Sequence, residues 1–291
     1  MNADLSNLII PLLIVLIVAS RGFRVDDNYV ARWVRSAGVI LTSESRPIVL
    51  RYLAWTRRCR TAGALAGLMG PVIYSQVVHG EPPDPRQGED GGAGFVLLLV
   101  GYLLGALIAE VIVNRPGGSS GAAMLIPRRI QDYLPGYALF LQRGLATLSV
   151  VMIPVYVLVE PHARHDQMPA VAAAAAFGLM GAGIAVVVEV LQRMIVARRQ
   201  PAMSTGDVAV DDAMRSSSLH VLSGVGIAFL INIAGGMLLL SVFAILADPF
   251  AGIIAIVFFL LIFPTSIFFW FDLAKPQGFK VRRGEGQGVS A

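Results

Sequence analysis

The chain has 291 residues, of which 56% are hydrophobic and only 14% are Asp, Glu, Lys or Arg, and its formal net charge is +4. A soluble domain contains about 25% charged residues, so a surface that meets water on every side is excluded. Lipid is therefore the expected solvent. We predict an all-α, polytopic transmembrane helix bundle that forms a single domain over residues 1–291.

Seven segments have the length and composition of membrane spans. A helix needs about 20 mainly apolar residues to cross the hydrocarbon core of a bilayer. The candidate spans are residues 5–20, 61–79, 93–113, 137–159, 170–191, 222–247 and 250–271. The first is short, but the residues before it lack the basic character of a signal peptide, so we interpret it as a retained span.

The positive charges outside the spans alternate between the two sides of the predicted bundle. Most of them fall in four segments: 21–60, 114–136, 192–221 and 272–291. The intervening loops contain only Arg86 and Arg164. Because loops rich in Arg and Lys stay in the cytoplasm, the pattern predicts an external N-terminus, an external loop at 80–92 and a cytoplasmic tail from residue 272.

The basic segment 21–60 is the longest stretch outside the predicted spans, and it holds nine arginines. Apolar residues recur at helical spacing around Trp33, with Arg32 and Arg35 on other faces. This pattern predicts an amphipathic helix on the membrane surface, with Trp33 at headgroup depth and with affinity for anionic lipid. A solvated basic helix in a loop fits the same pattern.

Spans two to seven form three successive hairpins, each of which begins and ends on the cytoplasmic side. Glu110, Glu189 and Asp272 lie near the ends of the three hairpins, and each is followed by a cation and a proline. An internal repeat, common in transporter folds, would explain this similarity. Interfacial residues of unrelated hairpins explain it equally well.

Four ionisable residues near the cytoplasmic ends of the spans form a candidate charge cluster, because charges inside a membrane are costly. They are Glu110, Arg143, Glu189 and Arg193. Arg143 lies about two turns inside its span, so we expect it to pair with Glu110 or Glu189. The cluster could handle protons or substrate near the cytoplasmic mouth. The shallow depth of these charges favours the alternative, a purely structural ion pair.

Two further sets of residues are candidates for shaping the bundle. The candidate helix breaks, which could frame a substrate path, are Pro71, Pro154, Asn232 and Pro264. The small residues expected to bring helices into close contact, within the chain or between chains, are Gly63, Gly67, Gly101 and Gly105.

The sequence lacks the motifs of phosphate-binding loops, zinc peptidases and serine hydrolases. We therefore predict no catalytic, metal-binding or cofactor-binding residues, no enzyme activity and no nucleic-acid partner. Lys275 and Lys280 are the only lysines, while Ala, Val, Arg and Gly are abundant. This bias is typical of high-GC bacterial genomes, which indicates the bacterial plasma membrane. The run 126–135 resembles a loop of uncharacterised membrane proteins from such genomes, a resemblance that implies no activity.

Two functions fit these features. The first is a permease-like membrane subunit of a transport system without its own ATPase, supported by the three hairpins and by cytoplasmic segments that could dock a partner. The second is a scaffold or assembly factor that binds other membrane proteins through its small-residue faces. A water-filled cavity at Arg143 would favour the first function, and a dry bundle with an exposed Gly/Ala groove the second.

Overall fold

The computed structural model describes residues 25–79, 90–113, 128–160, 170–198, 205–245 and 248–274. Within these ranges the protein is helical and contains no strand, which confirms the predicted all-α bundle. The helices are α1 (Asp27–Ala37), α2 (Ser45–His79), α3 (Asp90–Val113), α4 (Gly136–Val159), α5 (Val171–Ala197), α6 (Thr205–Ile245) and α7 (Asp248–Ala274). A short 3-10 turn, Ile130–Asp132, precedes α4.

Three helical segments of the described ranges are long and apolar enough to cross a membrane: Gly136–Val159, Val171–Ala197 and Val208–Ile245. Two shorter apolar segments, Val100–Glu110 and Leu260–Leu273, lie in α3 and α7. These helices are compatible with a membrane protein. The number of seven spans and their orientation stay predictions. The first predicted span, the 80–92 loop except its last residues, and the tail beyond residue 274 lie outside the described residues.

Helix α6 is the centre of the bundle. It has 41 residues, so it is about 62 Å long at a rise of about 1.5 Å per residue. Helices α2, α3, α4, α5 and α7 all contact it. Between residues 210 and 228 every side chain except that of Asp212 is buried. This part of the helix is therefore enclosed by protein.

Most of the segment 192–221, which was predicted to connect two spans, is helical. Helix α5 continues to Ala197 and α6 begins at Thr205, so the span predicted at 222–247 is only the second half of α6. Polar residues such as Asp211 and Arg215 lower the local hydropathy, which gives this half of α6 the profile of a loop. Neighbouring helices, rather than water, satisfy these polar groups.

The three predicted hairpins are present as antiparallel pairs. The helices of each pair, α2 with α3, α4 with α5 and α6 with α7, contact each other. In the first pair Gly63 lies opposite Gly101 while Cys59 lies opposite Gly105, so helices α2 and α3 run in opposite directions. The arrangement of hairpins is observed, and their origin as an internal repeat stays a hypothesis.

The predicted small-residue motifs form the contact between α2 and α3. A Cβ atom added to Gly63 would collide with the carbonyl oxygen of Gly101, and one added to Gly101 with that of Gly63. It would also lie 2.9 Å from the Cα atom of Gly67. A Cβ atom on Gly105 would collide with the Cys59 carbonyl oxygen. These glycines therefore allow close backbone contact within the chain, which accounts for them without a second protein.

Helix α1 is amphipathic, as predicted, and both of its ends are capped. The side chain of Asp26 accepts a hydrogen bond of 2.8 Å from the backbone N–H of Tyr29. Gly38 ends the helix with φ of 67°, a left-handed conformation that glycine adopts without strain, and its N–H donates to the carbonyl of Val34.

The apolar face of α1 meets protein rather than lipid. Trp33 is only 5% exposed, and its ring centroid lies 6.5 Å from that of Tyr52 in α2. The surrounding cluster also contains Val210, Ala213 and Met214 of α6. The apolar face of α1 is therefore covered by α2 and α6, while the depth of Trp33 relative to the lipid headgroups stays a prediction. Amphipathic spacing shows that one face must be buried, but protein and lipid satisfy that need equally.

Candidate functional site at the polar end of the bundle

Most of the described ion pairs lie at one end of the bundle, which we call the polar end. It comprises α1, the first halves of α2 and α6, the 3-10 turn and the last turns of α3 and α5. Mixed clusters of α1, α2 and α6, and of the 3-10 turn, α5 and α6, hold these segments together. The polar end therefore has a core of its own, with α6 passing through it.

A buried network around Asp211 joins α5 to α6. Arg215, one turn after Asp211, is fully buried, and its Nε donates a hydrogen bond of 2.9 Å to Asp211 Oδ2. Arg198 pairs with the other carboxylate oxygen of Asp211. Nη1 of Arg215 also donates to the backbone carbonyls of Val196 and Arg198, at 3.2 and 2.8 Å. The guanidinium thus satisfies carbonyls that the end of α5 leaves without helical partners.

A second contact ties the 3-10 turn to α6 through Asp212. The Asp212 carboxylate lies 3.1 Å from Nη2 of Arg128 and accepts a hydrogen bond of 3.1 Å from the Tyr133 hydroxyl. Burial, together with the negative charge of Asp212, raises the pKa of Tyr133 well above its usual range. The phenol therefore stays neutral and remains a hydrogen-bond donor.

Two further hydrogen bonds hold α6 to α2 and to α7. The hydroxyls of Tyr52 and Ser218 lie 3.2 Å apart in the buried contact between α2 and α6. Nδ1 of His220 donates a hydrogen bond of 3.0 Å to the carbonyl of Leu273 in α7. Since these residues are all buried, the polar groups of α6 fasten helices from several sides of the bundle.

The predicted charge cluster divides into two separate sites. Nη2 of Arg143 donates a hydrogen bond of 2.8 Å to Glu189 Oε1, which confirms the expected Arg143–Glu189 contact. Arg193 donates to the same oxygen at 2.6 Å. Glu110 is not part of this group: it is 1% exposed, and its Oε1 lies 3.8 Å from Nη2 of Arg60 in α2. The glycine contact between α2 and α3 explains this pairing, because it brings Arg60 beside the last turns of α3.

The Arg143 group lies on the outer surface of the bundle. The side chains of Arg143 and Arg193 are 62% and 69% exposed. A groove of about 460 Å³ lies beside Arg143, and its described lining comes from α4 and from Gln131 of the preceding 3-10 turn. Among the described residues it is a depression on one helix, so it lends no support to a transport path between helices.

The candidate helix breaks do not interrupt the helices. α2 runs through Pro71, α4 through Pro154 and α7 through Pro264. Asn232 of α6 donates a hydrogen bond of 2.7 Å to the carbonyl of Ala228, in its own helix. Prolines are tolerated inside membrane helices where local adjustment or nearby Ser and Thr side chains satisfy the freed carbonyls, and the Asn232 amide bonds to the backbone of its own helix.

Asp211, Asp212, Arg215 and His220 are candidate functional residues that the sequence analysis missed. A signal was present: residues 207–222 contain no Gly or Pro, and Asp211 and Arg215 have the spacing of a helical ion pair. No group of three His, Cys, Asp or Glu side chains in the described ranges has the geometry of a metal site.

The chain was compared with protein families, curated proteins and solved structures, and none of them matches it.

Proposed function

We propose that this chain is a bacterial plasma-membrane scaffold or assembly factor whose polar end docks a protein partner. The buried Arg198–Asp211–Arg215 network is the observation that carries the proposal. Its ion pairs and hydrogen bonds hold the end of α5 against α6. Polar contacts of this kind inside a protein favour one arrangement of the two helices, and the surface above them is expected to keep one shape.

The length of α6 supports this role. From Asp211 to Ile245 the helix rises about 51 Å, whereas the hydrocarbon core of a bilayer is about 30 Å thick. If the second half of α6 spans the membrane, the Asp211 network lies on the water side of it. The network is then part of a folded cap that meets other proteins.

The surface of the cap is basic. Residues 25–60 contain seven arginines against three acidic residues. The exposed arginines of α1 and of the first turns of α2 are Arg32, Arg35, Arg46, Arg51 and Arg58. Trp55 is 43% exposed between the last two of these. Arginine and tryptophan are enriched in protein interfaces, so an acidic partner surface is the expected complement.

The docking role can be tested by charge reversal on α2. Full-length protein would be cross-linked and purified from native membranes, as wild type and as the Arg51→Glu/Arg58→Glu variant. The Arg51→Lys/Arg58→Lys variant, which keeps both charges, is the control. We expect one stoichiometric partner that is lost from the Glu variant and kept by the Lys variant. Equal recovery of that partner with both variants would contradict docking on this surface.

A permease-like subunit without its own ATPase is the second candidate. Its support is the continuity of α6, through which movement of a partner at the polar end would reach the membrane half of the bundle. In that case the partner recovered in the same experiment would hydrolyse ATP, and its ATPase activity would change when this chain binds. A partner without ATPase activity favours the scaffold.

A further inference from the structure

A cleft of about 330 Å³ opens at the polar end between α1, α2 and α6. Small-molecule sites occupy about 300–1,000 Å³, so the cleft has room for a ligand of modest size. The lining residues that bear on its chemistry are Tyr29, Arg32, Trp33, Thr56, Arg60 and Ser217. The cleft is separate from the Asp211 network and from the Arg143 group.

The lining of the cleft is rich in hydrogen-bond donors. Arg32 and Arg60 carry guanidinium groups, and Trp33 carries an indole N–H, none of which can accept a hydrogen bond. Tyr, Ser and Thr hydroxyls, which can donate, complete the polar lining, and none of the described lining residues is Asp or Glu. Such a surface complements a ligand whose polar atoms are acceptors.

Two buried donors at the cleft have no hydrogen-bond partner among the residues that the structure describes. They are Nε1 of Trp33, whose residue is 5% exposed, and Nε of Arg60. A buried N–H without a partner is destabilising, and native proteins rarely leave one unexplained. Acceptor oxygens of a ligand in the cleft would satisfy both groups.

The charges around the cleft favour an anion. The Glu110 carboxylate, 3.8 Å from Nη2 of Arg60, balances one positive charge. The guanidinium carbons of Arg32 and Arg57 lie 5.9 and 5.1 Å from the ring centroid of Tyr29, which places two more positive charges at the rim. Among the described residues, the charges at the cleft therefore sum to a net positive charge.

We propose that this cleft binds a phosphate-bearing anion, and that its source is the headgroup of an anionic phospholipid. Guanidinium groups bind phosphate oxygens with strong, directional hydrogen bonds. Arg60 directly precedes the second predicted span, which begins at residue 61, so in the predicted topology the cleft lies at the level of the cytoplasmic headgroups. This binding does not depend on the docking of a protein partner.

The test measures lipid binding to the full-length chain in detergent by native mass spectrometry. Phosphatidylglycerol is the anionic lipid, and zwitterionic phosphatidylcholine is the lipid without net charge. Arg32→Gln removes a charge that lines the cleft, and Trp33→Phe removes the indole donor. Arg35→Gln is the matched control, because Arg35 is also exposed on α1 but does not line the cleft. We expect phosphatidylglycerol affinity to fall about tenfold in each of the first two variants and to stay unchanged in the control.

Arg60→Lys adds a test within the cleft. Lysine keeps the charge opposite Glu110, so folding is preserved, but it lacks the planar set of donors that binds phosphate. We expect a melting temperature close to that of the wild type together with weaker lipid binding.

Soluble ligands distinguish the two sources of phosphate. Inorganic phosphate or glycerol 3-phosphate could displace the lipid, and the binding of that soluble ligand could fall in the Arg32 and Trp33 variants. This result would keep the phosphate site but overturn the assignment of a lipid as its ligand. Equal losses of phosphatidylglycerol affinity in the Arg32→Gln and Arg35→Gln variants would mean that the lipid responds to general surface charge, and would overturn the site. Unchanged lipid binding in all variants would overturn it as well.

Discussion

Arg215 is a charged residue, of a type expected in an exposed loop, and yet it lies in the core. Its guanidinium is fully buried, yet its described contacts include a carboxylate and two backbone carbonyls of α5. A buried ion pair contributes little net stability as a whole, but removing one partner leaves an uncompensated charge. The energetic importance of Arg215 therefore lies in what its loss would leave behind.

We expect Arg215→Met to destabilise the protein by about 3–5 kcal/mol, because Asp211 loses one of its two described ion-pair partners and the carbonyls at the end of α5 lose a donor. Arg143→Met is the control, since its exposed pair with Glu189 is worth about 1 kcal/mol or less. Chemical unfolding of the purified full-length chain in detergent would measure both. Adding Asp211→Leu to Arg215→Met should cost less than the sum of the two single losses. Full additivity would contradict the network.

Tyr133 predicts a dependence of stability on alkaline pH. Burial and Asp212 raise the pKa of Tyr133 in the folded state, so folding favours the neutral phenol. Its contribution is complete below the unfolded pKa of 10.0 and is lost as the pH rises above that value toward the folded pKa. We expect Tyr133→Phe to reduce the fall in melting temperature between about pH 9 and about pH 11. An unchanged slope would show that this phenol is not held neutral.

At the scale of elements, the described hairpins differ in what holds their two helices together: close backbone contact in one, and polar side-chain contacts in the others. The α2–α3 pair approaches closely at glycines, whereas α4 and α5 add the Gln142–Gln192 hydrogen bond of 3.3 Å and the Arg143–Glu189 pair. The α6–α7 pair is fastened at the polar end by His220. Close approach needs glycine because any Cβ atom would occupy the space of the facing backbone.

We expect Gly101→Ala to separate α2 from α3 and to destabilise the protein by about 1–3 kcal/mol, the usual range for overpacking. Gly144→Ala is the control, because a Cβ atom there meets no atom within 4 Å. That change should be neutral or should stabilise the helix by about 0.5–1 kcal/mol. Thermal unfolding of the two variants side by side would measure the difference. Similar effects of both would contradict glycine-dependent packing.

The whole molecule combines an apolar bundle with a polar end, and its orientation across the membrane stays a prediction from the loop charges. The Asp211 network, the Arg60–Glu110 pair and α1 all lie at the end that the loop charges assign to the cytoplasm. A cap that carries many arginines belongs on the side where cations are retained.

Accessibility labelling would test the orientation directly. With Cys59 replaced by alanine, single cysteines would be placed at Pro83 and at Gln287 in the full-length chain. We expect an impermeant thiol reagent added from outside to label the first position and not the second, because basic segments remain in the cytoplasm. Labelling of the second alone would mean that the topology is inverted.

Parts of the fold and of the site could be predicted from the sequence because they depend on local spacing. Composition indicated the all-α bundle, and the Gly-x-x-x-Gly spacing at Gly101 and Gly105 indicated close packing. The Arg143–Glu189 contact was also predictable, since a long side chain in one helix of a hairpin reaches the adjacent helix. In each case the relevant neighbours lie in one helix or in one hairpin.

Which surfaces face protein became visible from the packing of the helices alone. Hydropathy predicts that Asp211 and Arg215 are exposed to water. Both can be buried because they form an ion pair and because Arg215 donates to backbone carbonyls at the end of α5. The spacing around Trp33 requires a covered face but does not distinguish α2 and α6 from lipid. Glu110 pairs with Arg60 rather than with Arg143, because the glycine contact between α2 and α3 brings Arg60 close to it. Such choices depend on which helices approach one another, and periodicity along a single helix carries no information about that.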